Sequence, residues 1–162
     1  MIAPDDPLAE DVGRVLAAHL ELMHHETPLE DVHALDAGQL ADPSVSFFSY
    51  RRGGELLAVG ALRAVDGEPG HGELKSMHTR AAARGQGIGA AMVAHLVGVA
   101  RARAWHRLSL ETGTGPAFEP AQRLYARCGF IACEPFADYQ LSPNSFFMTL
   151  DLDEGNGSVS AG

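Results

Sequence analysis

The stretch that most restricts how this chain can fold runs from Glu73 to Gly89, ELKSMHTRAAARGQGIG. It reads as a strand, then a basic loop, then the start of a helix whose first turn carries Gly85, Gly87 and Gly89. A helix N-terminus presents unpaired backbone N–H groups and the positive end of the macrodipole, so this junction is built to meet an anion. Glycines there let a phosphate approach the main chain, and Arg84 adds a charge-assisted donor. The same glycines would also serve close packing. No Gly-Lys-Ser/Thr follows, which excludes a Walker loop, and the G-x-G-x-G spacing is not the dinucleotide fingerprint.

The rest of the chain supplies a mixed sheet and its covering helices. Residues 8–26 carry Leu8, Val12, Val15, Leu16, Leu20 and Met23 on one helical face. Pro28 opens a second, short helix expected over 28–35. Val45–Arg51 and Glu55–Val65 flank Arg52-Gly53-Gly54 and read as a hairpin. Glu73–Thr79 is the next strand, Gly87–Ala104 a long helix, and Arg107–Thr112 a strand. Pro120–Cys128 reads as a helix stopped by Gly129, followed by strands at Phe130–Cys133 and Ser145–Leu152. The pattern predicts one α/β domain over residues 1–153 and a disordered Gly/Ser-rich tail over 154–162.

Charge narrows the partner. The net charge is −9, which argues against nucleic acid. Yet Lys75–Arg127 holds eight basic residues and two acids, 8 − 2 = +6, leaving −15 for the remainder. Cations gathered in one segment of an acidic chain suit an anionic small ligand, or a set of solvated helix faces. No apolar run reaches the roughly 20 residues of a membrane span, and no signal-peptide pattern opens the chain, so a cytoplasmic protein is expected. Cys128 and Cys133 are expected to be free thiols, and no ligand spacing for a metal is present.

Arg84-Gly85-Gln86-Gly87-Ile88-Gly89 matches the Q/R-x-x-G-x-G/A motif of the GNAT N-acetyltransferases, and the chain resembles that family over roughly residues 45–150. AQRLYARCGF resembles the family's second motif, with Leu124-Tyr125 preceding Gly129-Phe130. VHAL at 32–35, GELKSM at 72–77, LETG at 110–113 and DYQLSPNSFFM at 138–148 resemble a bacterial branch of it. The resemblance implies a mostly antiparallel sheet with a central pair of splayed parallel strands and helices on both faces. It implies acetyl-CoA as cosubstrate, its pantetheine arm beside Met77, His78 and Thr79. The pyrophosphate would then lie over Arg84, Gly85, Gln86, Gly87, Ile88, Gly89 and Ala90. Arg80 would stand near the phosphates, and a homodimer is common in such proteins. Two departures stand out: only about six residues precede Pro7, leaving little room for the family's first strand, and Phe118 occupies a position often held by asparagine.

The implied reaction is direct attack of an amine on the thioester in a ternary complex. It needs a proton acceptor, an oxyanion donor and a proton for the thiolate. By motif position Tyr125 is the acid and the Met77 N–H the oxyanion donor. Glu73 and Glu111, on neighbouring strands, are the candidate bases. His33, Lys75, Tyr139 and Asn144 are candidate acceptor contacts, with Lys75 on the same strand face as Glu73. His24 and His25 read as surface residues. The expected acceptor is a primary amine of a small molecule, an amino acid among the choices. The alternatives are a protein or peptide acetyltransferase and a non-catalytic acetyl-CoA sensor.

Overall fold

The computed structural model describes residues 1–26 and 35–153. The helix expected over 28–35 lies outside the described residues except for Leu35, and so do His33 and the tail at 154–162. The strands are β1 (Ile2–Pro4), β2 (Val45–Arg52), β3 (Glu55–Ala64), β4 (His71–Thr79), β5 (Arg107–Gly113), β6 (Ile131–Ala132) and β7 (Ser145–Asp151). The helices are α1 (Glu10–Glu26), α2 (Ala37–Leu40), α3 (Ile88–Ala102) and α4 (Glu119–Arg127). One seven-stranded sheet runs β1-β2-β3-β4-β5-β7-β6. Every pairing is antiparallel except β4 with β5.

The family's opening strand is present but only three residues long. It survives because charge ties it down. Asp5 accepts from Ser49 Oγ and from Arg51 Nε, the latter at 2.9 Å. Arg51 Nη1 also reaches Asp11 at 2.6 Å, which fastens α1 to the same edge.

Strand alternation sorts the core into two layers. On one face Leu62, Leu74, Leu108, Leu110 and Met148 meet Met92, Val93, Leu96 and Ala100 of α3, with Tyr125 of α4. On the other, Phe47, Val59 and Ala61 meet Val12, Val15 and Leu16 of α1. A fully buried leucine-sized side chain contributes about 1.5–3 kcal/mol, so the α3 face holds much of the stability. Gly89 brings α3 against α4: a Cβ there would sit 3.0 Å from Leu124 Cδ2.

The sheet departs from regularity where β4 crosses its centre. Val59 pairs with His78 and Ala61 with Lys75, so Ser76 and Met77 together face Gly60. This is a β-bulge, and Ser76 takes a positive φ of 54° within it. Gly60 makes the bulge possible, because a Cβ there would lie 3.0 Å from both Met77 Sδ and Met92 Cγ. The parallel pairing of β4 with β5 ends at Leu74 opposite Leu110. Both strands continue without sharing register, so the expected splay is observed. No helix among the described residues is long and apolar enough to cross a membrane.

Candidate active site

A cavity of about 610 Å³ occupies the gap between the diverging strands. Its volume falls in the range that takes a small ligand or a cofactor arm. One end is the start of α3. Gly85 and Gly87 hold φ of 78° and 77°, a left-handed conformation that side chains resist. Gly87 is the N-cap and no side chain caps the helix. The first amide that α3 itself uses is Ala91's, to Gly87 O at 3.1 Å. The turn before it therefore presents its amides outward. An added Cβ at Gly85 or Gly87 would meet nothing within 4 Å, so the space in front of them is open. These observations fit a pyrophosphate.

Met77, His78, Thr79, Arg84, Gly85, Gly87, Ile88, Gly89 and Ala90 all line the cavity. Gln86 does not; its side chain accepts from Arg52 Nη1 at 3.0 Å. Arg80 turns to the Leu56 carbonyl at 3.0 Å instead of entering the cavity. Arg127 of α4 does line it, so the cavity wall carries two guanidinium groups, Arg84 and Arg127.

Tyr125 lines the cavity from α4. Among the described residues no hydrogen bond to its hydroxyl is found. Burial raises its pKa, with Cys128 adding to the effect, so the phenol keeps its proton at neutral pH. Phe118 is buried against Gly113, where any Cβ would collide with the ring, and forms part of the cavity wall. A flat apolar surface thus stands where relatives of the motif often place a polar amide.

The two glutamates have different surroundings. Glu73 is 2% exposed and does not line the cavity. It accepts from the Tyr139 hydroxyl, from Lys75 Nζ at 3.2 Å and from Arg63 Nη2 at 3.3 Å. Lys75 Nζ also bonds Tyr139 Oη at 2.7 Å. Burial lowers the Lys75 pKa, opposed by Glu73, while burial and then Glu73 raise that of Tyr139. Lys75 reaches the cavity wall and Glu111 faces the cavity from β5. Tyr139 and Asn144 stand outside the lining: Tyr139 covers Glu73 and Lys75, and the Asn144 amide donates to Ser142 Oγ at 3.1 Å.

The far wall comes from α1, through His19, Leu22 and Met23. His19 Nδ1 lies 3.2 Å from His78 Nδ1. Desolvation first, then His78 and Lys75, lower the His19 pKa to about 4. Burial first, then Arg84, lower that of His78. His19 was missed by sequence reasoning, although the signal was present. It interrupts the apolar face of α1 between Leu16 and Met23, at helical spacing from both. His24 and His25 are exposed, as expected.

A second polar group resembles a nucleophile–base pair but does not line this cavity. His71 Nε2 lies 2.6 Å from Ser109 Oγ, and His71 Nδ1 3.2 Å from Glu68. Ser109 is fully buried and His71 2% exposed, so the arrangement satisfies core groups. Cys128 and Cys133 are free thiols, and no cluster of three or more metal-ligating side chains occurs among the described residues.

Comparison with known proteins gives the same family. The model of the "Acetyltransferase (GNAT) family" matches residues 14–130. The "Uncharacterized N-acetyltransferase YedL" of Escherichia coli is 43% identical over 155 residues, spanning 96% of each chain. A solved acyl-CoA N-acyltransferase from Klebsiella pneumoniae is 30% identical, with a TM-score of 0.76 over 94% of this chain and 97% of that one. A Bacillus subtilis acetyltransferase solved with CoA shares the fold at a TM-score of 0.66 and 15% identity, over 93% of this chain and 97% of that one.

Proposed function

The chain belongs to the GNAT acetyltransferase family, and on that premise we propose that it transfers acetyl from acetyl-CoA to the primary amine of a small molecule that also carries an anionic group, such as an amino acid. The observation that carries this reading is the charge layout along one cavity. Arg84 and the uncapped α3 start stand at the cofactor end, and Arg127 lines the same cavity. Beyond the gap, Lys75 and Glu111 line the wall with opposite formal charge. Glu111 suits the ammonium group of an acceptor, and Lys75 its carboxylate.

The roles of the chain's own groups follow from position. The bulge at Ser76–Met77 turns a β4 amide away from β3, where it can donate to the developing oxyanion; one such donor contributes about 10²–10³-fold. Tyr125 holds a proton beside the same gap and can deliver it to the departing thiolate. Glu73 orients Lys75 through the network with Tyr139 and Arg63.

The test is CoA thiol release from acetyl-CoA against free amino acids, simple amines and short peptides. Faster release with a free amino acid than with its carboxamide supports the reading. Release only with peptides would replace it by a peptide acetyltransferase. Acetyl-CoA binding with no release in the whole panel, unchanged by Tyr125→Phe, would favour a sensor. Calorimetry on Arg84→Glu tests the cofactor end, where affinity is expected to fall by at least tenfold.

A further inference from the structure

The His19–His78 contact has a chemical consequence that neither glutamate shares. The rings meet Nδ1 to Nδ1 at 3.2 Å, edge to face, with centroids 5.2 Å apart. Two neutral imidazoles can bond in this way only as opposite tautomers. One carries hydrogen on Nδ1 and has a bare Nε2. The other has a bare Nδ1 and hydrogen on Nε2. The pair therefore always offers one basic Nε2 and one Nε2–H donor. If the basic Nε2 takes a proton, the Nδ1–H···Nδ1 bond need not move, and it becomes charge-assisted.

Position gives this pair its task. His78 stands opposite Val59, on the α1 face of the sheet, just past the bulge. Both rings line the cavity, His78 near Arg84 and His19 on the α1 wall. From the same walls, Lys75, Arg84, Glu111 and Arg127 face that space, and α1 adds only Leu22 and Met23 beside His19. Glu73 lies behind Lys75 and Tyr139, out of the lining.

We propose that the His19–His78 pair is the proton acceptor for the amine during acetyl transfer, the two rings acting as one base. This rests on the acetyltransferase reading and adds to it. The amine lone pair forms the C–N bond, and the carbonyl π electrons move to oxygen. The nitrogen, now cationic, gives one proton to the bare Nε2. The oxyanion collapses, the C–S bond breaks, and the thiolate takes the Tyr125 proton. The imidazolium then returns its proton to the Tyr125 phenolate through solvent. Nitrogen bonded to the tetrahedral carbon is far more acidic than a free ammonium, so a weakly basic imidazole suffices.

The experiment uses the intact chain. CoA thiol release from acetyl-CoA with a panel of primary amines, L-amino acids included, is followed from about pH 5 to 9. His19→Gln and His78→Gln are each expected to lower kcat roughly 10²-fold, with KM for acetyl-CoA within about twofold. The double variant should be no worse than the poorer single, as for groups that act as a unit. The acid limb of the kcat profile should vanish. Full kcat in either variant, or losses that multiply in the double, would overturn the proposal. Ring-nitrogen NMR on the wild type reads the same point without any amine: one Nδ1–H and one Nε2–H ring are expected. Two identical tautomers would refute the pair while leaving acetyl transfer intact. Failure of the wild type to bind acetyl-CoA in calorimetry would overturn both.

Discussion

Leu74 and Leu110 are the last residues through which the two parallel strands β4 and β5 pair. Both side chains lie in the α3-side core, where burial is 4% and 1% exposed. Below them the sheet is continuous; above them it opens into the cavity. The bulge opposite Gly60 bends β4 away at this height. A hydrophobic clamp at one end and a kink at the other shape the gap.

Gly60→Val tests that arrangement. Its side chain would overlap Met77 and Met92, so a loss of about 1–3 kcal/mol is expected in urea unfolding. Acetyl-CoA affinity should fall with it, because Met77 can no longer occupy its place in the bulge. Unchanged stability would mean that the bulge does not depend on this glycine.

Tyr125→Phe separates chemistry from packing. The ring is buried, but its hydroxyl bonds no described residue. Stability should change by less than about 1 kcal/mol, and calorimetric affinity for acetyl-CoA should hold. Turnover should drop by roughly 10²-fold. Unchanged turnover would remove Tyr125 from the reaction.

The glutamates should fail differently. Glu73→Gln removes the buried carboxylate that bonds Lys75 and Arg63, and breaking a buried pair costs about 3–5 kcal/mol. Its main signature is a lowered melting temperature. Glu111→Gln should instead raise KM for the acceptor, with stability nearly unchanged. The two measurements, thermal unfolding and steady-state kinetics, should rank the variants in opposite order.

Acid should destabilise the protein earlier than carboxylate titration alone would. Burial holds the His71, His19 and His78 imidazoles below their usual value of about 6.5. Their neutral forms are favoured in the fold, while the unfolded chain takes protons from pH 6.5 downward. Their contribution is complete above that pH and is lost as pH falls from 6.5 through the folded values, about 4 for His19. Each group adds at most about 1.4 kcal/mol per pH unit to the slope. Chemical denaturation between those pH values should show it, and His19→Gln should flatten the slope.

The sequence alone determined whatever depends on neighbours a few residues apart. Glycines at 85 and 87 adopt positive φ because they lack Cβ, and α3 follows from the spacing of Ile88, Met92 and Leu96. The hairpin was legible in the same way, whereas the splayed pair was implied only by the resemblance of ordered motifs. Tertiary structure decided what depends on distant partners. Glu73 looked available until Tyr139, 66 residues away, and Lys75 enclosed it. His19 gains its partner only when α1 sets it against His78, 59 residues away. Local conformation follows from sterics and hydrogen-bonding capacity within a few residues. Which carboxylate meets a lysine, and which imidazole meets another, depends on how the sheet brings remote strands and helices together.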